Sequence, residues 1–248
     1  MLALGAKITA FVFAPALLLA IWWQSGRLRW RLDVLPTLPF FAVTLTLGLL
    51  ITWLEVYHVG AEGREFSASL SERLISTGRA FWFYPWKLLW PVDLCFIYPD
   101  WRTSPSGPLD WLWPLSIPVF LATLWLLRGQ IGRGPLVLAL FYLGAAFPVL
   151  GMLNVYGAVF APVWDHWVYV PSVAVLIFAA AVFHRLGAKL KPRWLPLTLV
   201  ALVLAALTFQ TRRQTPQYVR EQVRLYRAGT CYREAPAEPT DTKTQPGK

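Results

Sequence analysis

The sequence predicts an all-α protein, a polytopic membrane helix bundle with about six spans plus one interfacial amphipathic helix, from three observations. Of its 248 residues, 56% are hydrophobic and only 15% are charged. An average soluble domain has about 45–50% apolar and about 25% charged residues. Apolar runs of about 20 residues, the length that crosses the hydrocarbon core, also recur along the chain. These features exclude a disordered chain, a soluble nucleic-acid-binding module and most soluble α/β enzymes.

Six apolar runs are the candidate spanning helices. In chain order they cover residues 2–23, 35–56, 109–127, 135–155, 167–184 and 194–209. The first run lacks the basic start and the small-residue cleavage site of a signal peptide. The last run is short, but Trp194 and Pro196 at its start are typical of a membrane interface.

Residues 66–90 predict an amphipathic helix rather than a span. Apolar side chains recur there at helical spacing, at Leu70, Leu74, Thr77, Phe81, Tyr84 and Leu88. The same segment carries four charges, at Glu72, Arg73, Arg79 and Lys87. Charged side chains are costly in a lipid-exposed span, so we expect this helix to lie in the interface or in a polar cavity.

The distribution of charge predicts the orientation of the chain. Connections 25–33, 128–134 and 185–193 hold nine basic residues and one acid, Asp33. The alternate connections, 57–73, 91–108 and 156–166, hold three basic and six acidic residues. Because basic connections stay in the cytoplasm, the N-terminus, residues 66–90 and the tail are expected on the extracytoplasmic side.

The chain is expected to divide into three parts. Residues 1–210 form the transmembrane bundle, and residues 211–230 form an extracytoplasmic helical stub that Thr215 caps, with Pro216 at its first position. Residues 231–248 are rich in Pro, Thr, Glu and Lys, a composition that predicts disorder.

Motifs of known chemistry are absent from the sequence. It contains no phosphate-binding glycine-rich loop, no HExxH, no GxSxG and no metal-ligand cluster. Cys95 and Cys231 have no metal-ligand spacing, and a bridge between them requires that both face an oxidising compartment. No cofactor or metal ligand is therefore evident, the use of a metal stays open, and no nucleic-acid partner is expected.

Two groups of outer-face residues are candidates for binding. Arg79 and Lys87 flank an aromatic segment; Arg79 suits bidentate contact with a phosphate, and Lys87 suits a point contact. The alternative is that the aromatic residues only anchor the chain at the interface. If the fifth span begins at Asp165, then Asp165 and Tyr169 share a face and His166 lies beside them. The alternative is that Asp165 only caps that helix.

Four segments carry a resemblance to a known family. They read AKITAFVFAPALLL at 6–19, RAFWFYPWKLLWPVDLCFIYP at 79–99, FPVLGMLNVY at 147–156 and WDHWVYVPS at 164–172. In this order they resemble the C-terminal half of the membrane region of bacterial tetratricopeptide-repeat O-mannosyltransferase-like proteins, in the glycosyltransferase C superfamily. The resemblance covers roughly residues 5–228. His166 stands where the family more often has Arg.

The resemblance implies a function and a location. Such enzymes transfer a sugar from a polyprenyl-phosphate donor to a Ser/Thr hydroxyl, on the outer face of the bacterial inner membrane. It implies Arg79, Lys87, Asp165, His166 and Tyr169 as the residues that bind the lipid phosphate and the sugar. The catalytic base lies in the family's N-terminal half, which the four segments do not match. We therefore expect an incomplete module, either inactive alone or completed by a partner chain.

Two other classes of function stay open. One is a non-enzymatic membrane scaffold or anchor whose outer tail binds another protein. The other is a lipid-carrier transporter, which is disfavoured because the spans hold essentially no charges and show no inverted repeat.

Overall fold

The computed structural model describes a set of helices separated by gaps. It covers residues 12–54, 57–58, 68–92, 94, 98, 107–153, 163, 165–188, 191 and 194–227, without the side chains of 165–166, 217–218 and 221–227. All regular secondary structure in these ranges is helical. The α-helices are α1 (Phe13–Ser25), α2 (Leu38–Leu54), α3 (Leu70–Leu89), α4 (Leu112–Ile131), α5 (Gly134–Ala146), α6 (Tyr169–Gly187) and α7 (Trp194–Arg227).

Four helical segments are long and apolar enough to cross a membrane. They are Trp30–Leu54, Pro108–Ile131, Tyr169–Gly187 and Trp194–Pro216. The apolar segments Phe13–Ser25 and Gly134–Val149 are shorter in the described part of the chain. These lengths and compositions support a helical membrane bundle, whereas the count of six spans stays a prediction.

Large apolar side chains cover the outside of the bundle. Leu126 on α4 is 78% exposed and Leu197 on α7 is 73% exposed. In water this arrangement would be unfavourable, because exposed apolar area costs about 25 cal/mol per Å². In a bilayer the same side chains contact lipid tails, so the exposed surface agrees with the membrane class.

The start of α3 is fixed by a capping box. The Ser69 hydroxyl accepts a hydrogen bond from the backbone N–H of Glu72 (3.3 Å), and the Glu72 carboxylate accepts one from the backbone N–H of Ser69 (2.7 Å). This reciprocal pair satisfies two donors that a helix start otherwise leaves unpaired. The amphipathic helix expected at 66–90 therefore exists, and it begins at Leu70.

The apolar face of α3 supplies the centre of the buried core. Phe81 and Tyr84 pack in one cluster with Tyr142 and Leu150 from the α5 region and Val168 before α6. Leu70, expected on the same stripe, is 65% exposed because it lies in the first turn, beyond the packed region. The expected apolar stripe is thus covered by neighbouring helices, and an interfacial location of α3 stays a prediction.

Helices α3 and α4 approach so closely that only glycine fits at position 78. A Cβ added to Gly78 would overlap the backbone of Trp113 and Pro114. One turn further along, the Trp82 indole N–H donates to the Ser116 hydroxyl at 2.7 Å. The indole bond and the glycine contact fix the register between the two helices.

The bundle has two distinct ends. Helix α4 begins after Asp110, which pairs with Arg79, and near its other end Trp125 stacks on Trp22 of α1. Helix α5 begins after Arg133, whose guanidinium lies against Gly26. Connections 25–33 and 128–134 therefore meet at one end, and the N-terminal half of α3 lies toward the other. The expected cytoplasmic location of these connections stays a prediction.

The tail differs from the expected stub. Helix α7 is continuous from Trp194 to Arg227, through Pro216. Thr215 does not cap a new helix, because its hydroxyl donates to the carbonyl of Thr211 at 2.8 Å, as a residue inside a helix does. The expected disordered tail, 231–248, lies outside the described residues, and the three-part division of the chain stays a prediction.

Candidate functional site

Arg79 lies on the seam between α3 and the start of α4. Its guanidinium forms an ion pair with the Asp110 carboxylate, and the two side chains are 23% and 13% exposed. Partial burial strengthens this pair relative to one in water. Sequence reasoning missed Asp110, although an acid in the first turn of the predicted span 109–127 was a visible signal.

Lys87 lies near the end of α3, two turns beyond Arg79. Its ammonium donates to the carbonyl of Val92 and lies 5.7 Å from the centre of the Phe83 ring and 5.6 Å from that of Tyr98. These distances are within the range of cation–π attraction. The aromatic frame holds the charge of Lys87 in a partly buried position.

A side chain from α7 reaches the same place. The Gln214 amide N–H donates to the carbonyl of Pro91 at 2.6 Å, next to the carbonyl that Lys87 contacts. Gln214 is 9% exposed, and its carbonyl oxygen has no hydrogen-bond partner among the described residues. Sequence reasoning missed Gln214, because its position on α7 carries no information about Pro91.

The start of α6 lies beside α3. Residues Asp165–Val168 form a 3₁₀ turn in front of α6, so the α-helix begins at Tyr169 and not at Asp165. Val168 is buried in the same cluster as Phe81 and Tyr84. The elements that carry the predicted site residues therefore converge.

The individual residues of that set have different surroundings. Tyr169 is 63% exposed, and the side chains of Asp165 and His166 lie outside the described residues. Arg79 pairs with Asp110, while Lys87 contacts Val92 and two rings. A cavity shared by all five residues stays a prediction.

One buried oxygen lies earlier on α3, before Arg79. The Thr77 hydroxyl oxygen has no hydrogen-bond partner among the described residues and lies near Gly151, in the segment after α5. An open groove of about 690 Å³ lies elsewhere, between α6 and α7, lined by residues such as Phe183, Pro196 and Val200. In the described part of the chain, no three His, Cys, Asp or Glu side chains group as metal ligands.

The apolar helices place the chain in the class of helical integral membrane proteins. No family model, no curated protein and no solved structure matches the chain.

Proposed function

We propose that this chain is a membrane glycosyltransferase-like module that binds a polyprenyl-phosphate-linked sugar. The observation that carries the proposal is the convergence of Lys87 and Gln214 on the backbone of Pro91 and Val92. A partly buried ammonium attracts a phosphate more strongly than one in water. The buried carbonyl oxygen of Gln214 is an acceptor suited to a sugar hydroxyl.

Arg79 and Lys87 have different roles in this proposal. The charge of Arg79 is balanced by Asp110, so Arg79 positions the start of α4 and adds a hydrogen-bond donor to the site. Lys87 supplies the positive charge that faces the phosphate. We assign Asp165, His166 and Tyr169 to the same site, because the segment that carries them lies at the start of α6, beside α3.

The proposed reaction transfers the sugar to a Ser/Thr hydroxyl. The bond between the anomeric carbon and the phosphate oxygen breaks, and the acceptor oxygen forms the new bond. The polyprenyl phosphate leaves with the electron pair, and Lys87 stabilises its charge. The acceptor proton passes to a general base, which the resemblance places outside the four matched segments.

Binding of a short-chain polyprenyl phosphate tests this proposal. The full chain is purified in detergent and titrated, and the bound lipid is counted by native mass spectrometry. Lys87→Met keeps the apolar stem over the rings, and we expect about tenfold weaker binding, as for the loss of one charge-assisted hydrogen bond. Lys87→Arg should restore most of the affinity.

Arg220→Ala is the matched control. Arg220 is an exposed cation on α7 whose guanidinium donates to the Pro216 carbonyl of the same helix at 3.0 Å. Its removal should leave binding unchanged. Equal affinities of the wild type and Lys87→Met would contradict the proposed role of Lys87.

A membrane scaffold or anchor is the second candidate, and α7 favours it. This helix continues beyond its apolar span, which ends at Pro216, to Arg227, as expected of an element that docks another protein outside the bilayer. The titration separates the two candidates, because a scaffold predicts that even the wild type does not bind polyprenyl phosphate.

A further inference from the structure

Two of the three basic connections, 25–33 and 128–134, form one surface, which we call the basic end and define by Arg27, Arg31, Arg128 and Arg133. The guanidinium of Arg133, in front of α5, lies against Gly26, behind α1. Gly26 has φ of 73°, a left-handed conformation that ends α1 and that glycine adopts readily. Because Gly26 has no side chain, the Arg133 guanidinium can lie directly against this turn.

Aromatic stacking joins the two helices that precede these connections. The Trp22 ring of α1 and the Trp125 ring of α4 are nearly parallel, at 10°, with their centres 5.9 Å apart. The guanidinium carbon of Arg128 lies 3.9 Å from the centre of the Trp125 ring. Tryptophan and arginine in such layers are typical of the head-group level of a membrane.

One arginine of these connections is neutralised locally. Asp33 accepts hydrogen bonds from the backbone N–H of Arg29 (2.8 Å) and from its guanidinium (3.1 and 3.0 Å), and the bonds to the guanidinium, with the negative charge of Asp33, raise the pKa of Arg29. Asp33 is the one acid in connections 25–33 and 128–134, and it is 7% exposed. The four arginines of the basic end therefore have no acidic counterpart within these two connections.

Exposed apolar side chains lie next to the basic end on α1 and α4. Trp23 on α1 is 55% exposed and Leu126 on α4 is 78% exposed. Both lie within about two turns of the basic end along their own helices. A ligand that combines a negative head group with an acyl chain matches both surfaces, because the arginines pair with the charge and the apolar side chains pack on the chain.

We propose that the basic end binds the phosphate head group of an anionic glycerophospholipid, with an acyl chain lying along α1 and α4. None of the residues that define the basic end belongs to the candidate sugar site. Within that site, Arg79 pairs with Asp110 at the start of α4, whereas Arg128 lies near the other end of this helix, whose 20 residues span about 30 Å. The lipid site therefore does not depend on the proposed function.

The test measures lipid binding to the full chain in detergent by native mass spectrometry. Phosphatidylglycerol is the probe, phosphatidylcholine is the zwitterionic comparison without net charge, and inorganic phosphate is the competitor. We expect phosphatidylglycerol to bind, phosphatidylcholine to bind at least about fivefold more weakly, and millimolar phosphate not to displace the lipid. Arg133→Gln should lower the affinity about fivefold, the effect of one basic residue near an anionic surface.

Arg185→Gln is the matched control, because Arg185 is an exposed arginine at the end of α6, outside the two connections. It should not change the affinity. Gly26→Ala tests the geometry without changing the charge: displacement of Arg133 should weaken binding while circular dichroism stays helical. An equal loss in Arg185→Gln and Arg133→Gln would overturn the proposal in favour of diffuse surface charge. Displacement by phosphate would overturn the assignment of a lipid.

Discussion

The Tyr142 hydroxyl of α5 donates a 2.8 Å hydrogen bond to the backbone carbonyl of Phe81 in α3. The helical donor for that carbonyl would be the N–H of residue 85, which is proline and has none. Tyr142 therefore replaces the hydrogen bond that Pro85 removes, at a buried position between two helices. This pairing explains how a proline is accommodated in a helix that packs into the buried core.

Tyr142→Phe should destabilise the bundle, because it leaves the Phe81 carbonyl buried without a donor. The expected loss is about 1–3 kcal/mol in the free energy of unfolding. In a Pro85→Ala background the N–H of residue 85 can donate to the Phe81 carbonyl. Tyr142→Phe should then lower the free energy of unfolding by less. Unfolding of the four variants in detergent forms a double-mutant cycle, and identical costs in both backgrounds would exclude this coupling.

Gly78→Ala should separate α3 from α4, because the added methyl group overlaps the backbone of Trp113 and Pro114. Overpacking of this kind costs about 1–3 kcal/mol. Gly48→Ala on α2 is the control, since no atom lies within 4 Å of its Cβ position. That change should be neutral or slightly stabilising in a helix. Thermal unfolding that ranks the two variants equally would contradict the close approach.

Arg79→Ala should destabilise the chain by leaving the partly buried Asp110 carboxylate without its cation. Exposed pairs contribute about 0–1 kcal/mol and breaking a buried pair costs about 3–5 kcal/mol, so we expect about 1–3 kcal/mol here. Asp110→Ala in the same chain should recover part of the loss. A double variant no more stable than Arg79→Ala alone would argue against the pair.

The orientation of the chain is tested by thiol labelling of intact cells. Cys95 and Cys231, which lie outside the described residues, are expected to react with an impermeant reagent after mild reduction, since the charge count places both outside. In a background with both replaced by serine, Gln130→Cys at the end of α4 should react only after lysis. Labelling in the opposite order would reverse the predicted topology.

Reporter fusions test whether residues 66–90 cross the membrane. Fusions at Arg64 and at Trp101 should report the same compartment, because α3 carries Arg73, Arg79 and Lys87 and its flanks are both expected outside. Opposite compartments would show that α3 spans, and a seven-span arrangement would then replace the six-span one.

The elements of the candidate site were predictable to different degrees. The amphipathic character of α3 and its two cations follow from helical spacing, a local property of consecutive residues. The 3₁₀ turn at Asp165–Val168 was missed, because capping and turn type depend on how the preceding segment enters α6. The predicted start of a new helix at Thr215–Pro216 was wrong, because the helix continues through Pro216. Proline is common at the first position of a helix and also occurs inside helices, so the residue alone does not distinguish the two cases.

The sequence by itself determined the class of protein, because a bilayer requires long apolar helices and so leaves a direct trace in composition and run length. It also predicted that the connections 25–33 and 128–134 lie on one side, where the structure places them together. Only the tertiary structure decided which side chains meet. Arg79 and Asp110 are 31 residues apart, Phe81 and Tyr142 are 61 apart, and Pro91 and Gln214 are 123 apart. Helical periodicity shows which face of a helix is apolar, but the choice of partner face depends on packing between helices that are distant in the chain.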